Sequence, residues 1–129
     1  MSTPRNLSVP VVLIVEDEPL LRLLAVEAVE EAGFVALEAA NADEAVVLLE
    51  ARPDICLLLT DINMPGSMDG LKLAHAVRNR WPPIKILVVS AAVAPKPSEL
   101  PPDCCFLGKP YAAAAMVAEL RSLVAASGL

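Results

Sequence analysis

Ile55-Cys56-Leu57-Leu58-Leu59-Thr60-Asp61-Ile62-Asn63-Met64-Pro65-Gly66 is the stretch that decides the fold. Residues 55–60 are apolar almost throughout and show no alternation, as expected of a strand covered on both faces, and they stop at an aspartate followed by turn-forming residues. Upstream, Val11-Val12-Leu13-Ile14-Val15 has the same character and stops at Glu16-Asp17. Downstream, residues 84–89 stop at Ser90, and a shorter run at 105–107 leads into Gly108-Lys109. Residues 34–39 supply one more strand. Helical stretches separate these runs. Pro19 suits the first turn of a helix over 19–32, and Gly33 its C-terminal cap. Asn41, with Glu44 three residues later, opens a helix ending near Ala51. Asp69 caps a helix over 70–81 that Pro82 and Pro83 terminate, and an alanine-rich helix covers 112–126. Strand-helix alternation with buried strands predicts an α/β fold, a parallel sheet with helices on both faces, in one domain without repeats.

Composition narrows the function. The chain has 129 residues, of which 56% are hydrophobic and only 3% aromatic, so its core must be built from Val, Leu, Ile and Ala. A net charge of −6 argues against a nucleic-acid partner, which needs clustered Lys and Arg. No apolar run approaches the roughly 20 residues of a membrane span. Residues 1–9 lack the basic start and apolar stretch of a secretory signal and read as a mobile arm ahead of a domain at 10–129. Cys56 lies in an apolar run and reads as core, while the adjacent Cys104 and Cys105 have no second pair to complete a zinc site. Three cysteines without a framework suit a reducing cytoplasm.

In open α/β sheets ligands bind outside the carboxyl ends of the strands, near the point where strand order reverses. Here those ends carry Glu16, Asp17, Asp61, Ser90 and Lys109. Taken singly, each has a plain structural reading as a loop carboxylate, a cap, a strand-end serine or a solvated lysine. Their convergence on one edge is what points to chemistry. Carboxylates about 4 Å apart repel by on the order of 4 kcal/mol per pair at an effective dielectric near 20. A hard divalent cation such as Mg²⁺ relieves that repulsion through oxygen ligands. Asp61 can then attack a phosphoryl donor, while Lys109 and the Ser90 hydroxyl meet the phosphoryl oxygens.

Val15-Glu16-Asp17-Glu18, Thr60-Asp61-Ile62-Asn63-Met64-Pro65-Gly66, Ser90-Ala91 and Lys109-Pro110 together resemble the receiver domain of two-component response regulators, over residues 10–127. The resemblance implies a flavodoxin-like sheet of order 2-1-3-4-5. It implies that Asp61 is phosphorylated by a histidine kinase or histidine phosphotransfer protein. It places Mg²⁺ on Asp17, Asp61 and the backbone carbonyl of Asn63, with Glu16 acting through water. It assigns Ser90 and Lys109 to the phosphoryl oxygens, makes Lys109-Pro110 cis, and pairs Ser90 with Phe106 as the switch, although a plain core phenylalanine is the other reading of Phe106. The chain ends soon after its last helix, so the expectation is a stand-alone receiver, a self-modifying phosphoacceptor rather than an enzyme. It would act by binding an unnamed downstream protein or relaying phosphate, with its oligomeric state open. Two alternatives stand beside it. A haloacid-dehalogenase-type phosphatase would need an aspartate where Asn63 stands. A pseudo-receiver, a binding module that is never phosphorylated, would not need the full carboxylate, hydroxyl and lysine set.

Two features depart from the family pattern. Asp61 stands one residue further from Asp69-Gly70 than in chemotaxis-type receivers, with Gly66-Ser67 taking up the slack at little cost. Between Ser90 and Cys105, Pro95, Pro97, Pro101 and Pro102 interrupt the family's fourth helix, at about 3 kcal/mol for each interior proline. A loop with at most one or two turns is expected there. His75, mid-helix without a ligand partner, reads as a surface residue, and Asp54 and Asp103, each after a proline, as turn residues. On a helical projection of 19–32, Leu21, Ala25, Ala28 and Ala32 share the face expected to pack on the sheet, opposite Arg22, Glu27, Glu30 and Glu31. Leu20 and Leu23 project toward the charged side. They are either ordinary exposed leucines or an apolar spot for a kinase helix carrying the phosphohistidine, since receivers commonly use their first helix that way.

Overall fold

Side chains alternate along β1 (Val11–Val15), and both of its faces are buried. Val11, Leu13 and Val15 enter one core cluster while Val12 and Ile14 enter another, so a five-residue strand already defines a three-layer molecule. The computed structural model describes residues 9–64, 66, 68–91 and 94–126. Residues 1–8 of the expected arm, Pro65 and Ser67 of the loop insertion, and Ala92 and Val93 of the proline-rich segment lie outside them.

Strands β2 (Val35–Ala39), β3 (Ile55–Asp61), β4 (Lys85–Ser90) and β5 (Cys104–Gly108) join β1 in a parallel sheet of order β2-β1-β3-β4-β5, the flavodoxin-like topology expected from the sequence. Helices α1 (Pro19–Glu31) and α4 (Ala113–Ala126) cover the Val12 face through Ala25, Val29, Met116, Leu120 and Leu123. Helices α2 (Ala42–Ala51) and α3 (Gly70–Arg80) cover the other through Ala42, Ala45, Leu49, Leu73, Ala74 and Val77. A register shift against β1 falls at Cys56, which has no β1 partner. The extra residue explains why Ile55 and Leu58, three apart, face the same cluster.

The helix ends follow local chemistry. Gly33 takes φ +95° and donates its N–H to the Glu30 carbonyl, while the Phe34 N–H reaches Val29, a Schellman closure of α1. Asn41 Oδ1 accepts the Glu44 N–H, and Glu44 returns a carboxylate oxygen to the Ala40 N–H. Asp69 Oδ1 accepts the Lys72 N–H at 2.9 Å, capping α3.

The connection from β4 to β5 contains no α-helix among its described residues, only a 3-10 turn at Pro97–Glu99. Side chains of α3 take over the anchoring that a helix ladder would supply. Arg78 donates to the carbonyls of Pro82, Ile84, Pro102 and Asp103. His75, exposed as expected, lies with Nε2 2.7 Å from the Glu99 carbonyl oxygen. Asp103 turns the chain into β5 with φ +57°. Pro101 is buried, and Leu100 packs against the α2–α3 side of the core.

Helix α1 is rotated from its expected setting. Leu21 is 43% exposed, whereas Arg22, placed on the solvent side by the helical projection, has a side chain only 20% exposed. Ala25 and Val29 form the buried stripe. The reason is polar: Arg22 reaches the Glu16 carbonyl and the Glu38 carboxylate, which turns the leucines outward. Leu20 and Leu23 project into solvent as expected, at 64% and 52% exposure, joined by Leu24 at 53%.

Candidate functional site

The carboxyl ends of β1, β3, β4 and β5 lie side by side, and each delivers its polar residue to one pocket. Glu16, Asp17 and Asp61 each offer a carboxylate oxygen within 4.8 Å of the others. Lys109 sends Nζ to Glu16 Oε1 at 2.9 Å and to Asp61 Oδ2 at 3.4 Å. Its backbone N–H bonds the Ser90 carbonyl, and the Lys109-Pro110 peptide is cis, as expected. Ser90 Oγ accepts from Asn63 Nδ2 at 3.2 Å. Glu16, Asp61 and Ser90 are buried and Asp17 is half-buried, so the acids are largely shielded from bulk water.

The charges in this pocket shape one another. Burial pulls the Lys109 ammonium toward neutrality, but the hydrogen bond it donates to Glu16 and the charges of Asp61 and Glu16 outweigh it and hold its pKa above the ordinary lysine value. Lys109 is therefore a fixed cation. Tyr111, two residues on, has its phenol pushed upward by burial. Three hard oxygen donors without histidine or thiol suit Mg²⁺ better than zinc or copper.

Every strand-end residue singled out in the sequence reaches this site. Asn63 does so through its amide, beside the Asp61 strand end. Phe106 does not line the pocket; it lies half-buried against the α2–α3 side of the core, one strand from Ser90's backbone. Sequence reasoning missed Arg22. An arginine among four leucines gives no apolar signal, and only its count of five residues from Glu16-Asp17 hinted that it could reach back over one helical turn.

A groove of about 640 Å³ runs from Lys109 and Pro110 between α1 and α4, floored by Ala25, Ala28 and Met116, with Leu21 and Leu24 on one wall. Glu27 and Glu31 lie on its rim. Among the described residues no helix is long and apolar enough to cross a membrane.

A parallel sheet of this order, with an acid pocket and a lysine at its carboxyl edge, defines a receiver domain of two-component signalling. Residues 12–99 match the response regulator receiver domain family, and the chain belongs to it. It is 36% identical over 119 residues to the response regulator receiver protein CpdR of Brucella abortus (strain 2308), covering 90% of this chain and 98% of that protein. It is 32% identical to part of the sensor kinase CckA of the same organism, matching 88% of this chain but 12% of the kinase. Among solved structures, a response regulator receiver protein from Sinorhizobium medicae WSM419 superposes with a TM-score of 0.87 at 26% identity, over 94% of this chain and 98% of that one.

Proposed function

We propose that Asp61 accepts a phosphoryl group from a phosphohistidine on a histidine kinase or histidine phosphotransfer protein, with Mg²⁺ in the pocket. The observation that carries this reading is the meeting of the Asp61 carboxylate with Lys109, Glu16 and Asp17 at one sheet edge. An Asp61 carboxylate oxygen attacks phosphorus, the phosphorus–nitrogen bond to the donor imidazole breaks, and its electron pair stays on that nitrogen, which takes up a proton. Asp17, Asp61 and the Asn63 backbone carbonyl would hold the cation, with Glu16 reaching it through water. Mg²⁺, when bound, supplies positive charge to the phosphoryl oxygens. Lys109 moves from Glu16 and Asp61 to a phosphoryl oxygen, and Ser90 Oγ exchanges the Asn63 amide for another. Phe106 then answers the shift of Ser90 as the switch aromatic. The chain modifies itself and turns nothing over. Asn63 is an amide that donates to Ser90, so it cannot supply the acid a haloacid-dehalogenase-type phosphatase needs. The free thiols of Cys56, Cys104 and Cys105 favour the cytoplasm as its location.

Incubation with a small acyl phosphate and Mg²⁺ should add the mass of one phosphoryl group per chain, removable by hydroxylamine as an acyl phosphate must be. Sustained phosphate release from ordinary phosphomonoesters would favour the phosphatase instead, and no uptake at all would favour a pseudo-receiver.

The donor's helix docks on the leucine surface of α1, beside the groove that opens at Lys109. Leu23→Glu is expected to leave folding and small-donor labelling intact while slowing transfer from the cognate kinase about tenfold, the effect of losing one well-buried apolar contact. Equal transfer rates in wild type and variant would remove this face from the docking surface.

A further inference from the structure

Glu16 is 6% exposed, and every one of its polar groups already has a protein partner. Its N–H donates to the Ala39 carbonyl at 3.1 Å, Oε2 accepts from the Glu18 N–H at 3.1 Å, and Oε1 accepts from Lys109 Nζ at 2.9 Å. The remaining group, its backbone carbonyl, accepts from Arg22 Nη1 at 2.8 Å. That carbonyl belongs to the planar peptide shared with Asp17, so holding it sets the plane from which Asp17 departs. Arg22 is held in turn, with Nε donating to Glu38 Oε1 at 3.0 Å, and Glu38 adjoins the Ala39 that binds the Glu16 N–H. The end of β2 and the guanidinium of α1 thus clip the Glu16 backbone from both sides. A half-buried arginine between leucines 43% and 52% exposed reverses the ordinary order of burial. Arg22 is placed by its hydrogen bonds.

We propose that Arg22 is a positioning residue for the acid pocket. Its planar fork fixes the Glu16–Asp17 peptide, with Glu38 as its brace, so that the Asp17 carboxylate stands beside Asp61 before a cation arrives. The inference rests on the Mg²⁺ site proposed above and deepens it. A second role for Arg22 is easily imagined, that of merely offsetting the crowded acids with its charge. The two roles act on Mg²⁺ binding with opposite signs. A nearby positive charge opposes a cation, so deleting a mere counter-charge would tighten binding. Deleting a group that orients a ligand weakens it, by tenfold to a hundredfold in metal sites where such partners have been removed.

The test is calorimetric titration of the full chain with MgCl₂, alongside metal-free amide exchange at Asp17 and Glu18 and denaturant unfolding to confirm folding. Arg22→Ala should weaken Mg²⁺ binding about tenfold and speed exchange at both amides. Glu38→Gln, which keeps Arg22 but loosens its brace, should weaken binding severalfold. Arg22→Lys, which keeps the charge without the fork, should restore only part of the affinity. Unchanged or tighter binding in Arg22→Ala, with unchanged exchange, overturns the proposal. Should Arg22→Ala fail to fold, wild-type affinity in both Glu38→Gln and Arg22→Lys overturns it equally. Wild-type protein taking up no Mg²⁺ that depends on Asp17 and Asp61 overturns the proposed site itself. Loss of affinity confined to Asp17→Asn and Asp61→Asn overturns the Arg22 inference alone.

Discussion

Asp61→Asn is expected to abolish phosphoryl uptake and, without metal, to raise the melting temperature by roughly 3–6 °C. The first effect follows from chemistry, since an amide oxygen is a poor nucleophile and its acyl phosphate cannot form. The second follows from charge. Asp61 faces the carboxylates of Glu16 and Asp17 within 4.8 Å and a single ammonium, that of Lys109, at 3.4 Å. With an effective dielectric near 20, each repulsion is worth about 3 kcal/mol and the attraction about 5 kcal/mol, leaving Asp61 unfavourable by about 1–2 kcal/mol in the empty pocket. Mg²⁺ should raise the melting temperature of the wild type through its preference for the folded state, and much less that of Asp17→Asn or Asp61→Asn. Scanning calorimetry in chelator and then in MgCl₂ reads both effects. A lower melting temperature for Asp61→Asn in chelator would mean that the Lys109 pairing outweighs the crowding.

Gly70→Ala is expected to cost about 3 kcal/mol or more of stability, although alanine is the better helix former by about 1 kcal/mol. A Cβ on Gly70 would overlap the Asp61 carbonyl oxygen and come within 2.6 Å of the Asp61 carbonyl carbon and 2.9 Å of Ile62 Cα. These are backbone atoms at the end of a central strand and cannot swing aside. The Gly70 N–H also bonds the Ile62 carbonyl at 2.8 Å, tying the start of α3 to the turn that follows Asp61. Relief of the clash must therefore move α3 away from β3 or displace the end of the strand, and small-donor labelling should slow along with the loss of stability. Gly66→Ala is the control. Nothing lies within 4 Å of a Cβ there, so only the strain of φ +117° applies. It should cost about 1 kcal/mol and leave labelling near the wild-type rate. Equal denaturation midpoints for wild type and Gly70→Ala would show that the junction of β3 and α3 yields more easily than its geometry implies.

Much of the molecule was legible in the sequence. The two-faced apolar runs of β1, β3 and β4 give their own burial away, because a central parallel strand has no solvent side on which to put a polar residue. Asn41, Asp69 and Gly33 mark helix ends through bonds made within a few residues. Pro95, Pro97, Pro101 and Pro102 disfavour a regular helix by chain geometry alone, and among the described residues there only a 3-10 turn forms. Strand ends also name the site, since a parallel topology carries every carboxyl end to the same edge. All of these are local rules, or rules of topology that a local pattern triggers.

What the sequence by itself determined is therefore the set of elements, their order, and the identity of Glu16, Asp17, Asp61, Ser90 and Lys109 as strand-end groups. Tertiary structure decided how they meet and what holds them. Lys109 reaches Glu16 across 93 residues, and no pattern of spacing could say that it would rest on both Glu16 and Asp61. The rotation of α1 was equally hidden. Leucines at 20, 21, 23 and 24 let several faces of that helix pass for the buried one, so apolar periodicity could not choose among them. The choice fell to Arg22, which bonds the Glu16 carbonyl and whose bond to Glu38 exists only once β1 and β2 are side by side. Arg78 likewise finds the carbonyls of Pro102 and Asp103 only after the proline-rich segment has folded back against α3. A hydrogen bond needs its partner within about 3 Å, and for residues far apart in the chain only the assembled fold supplies that distance.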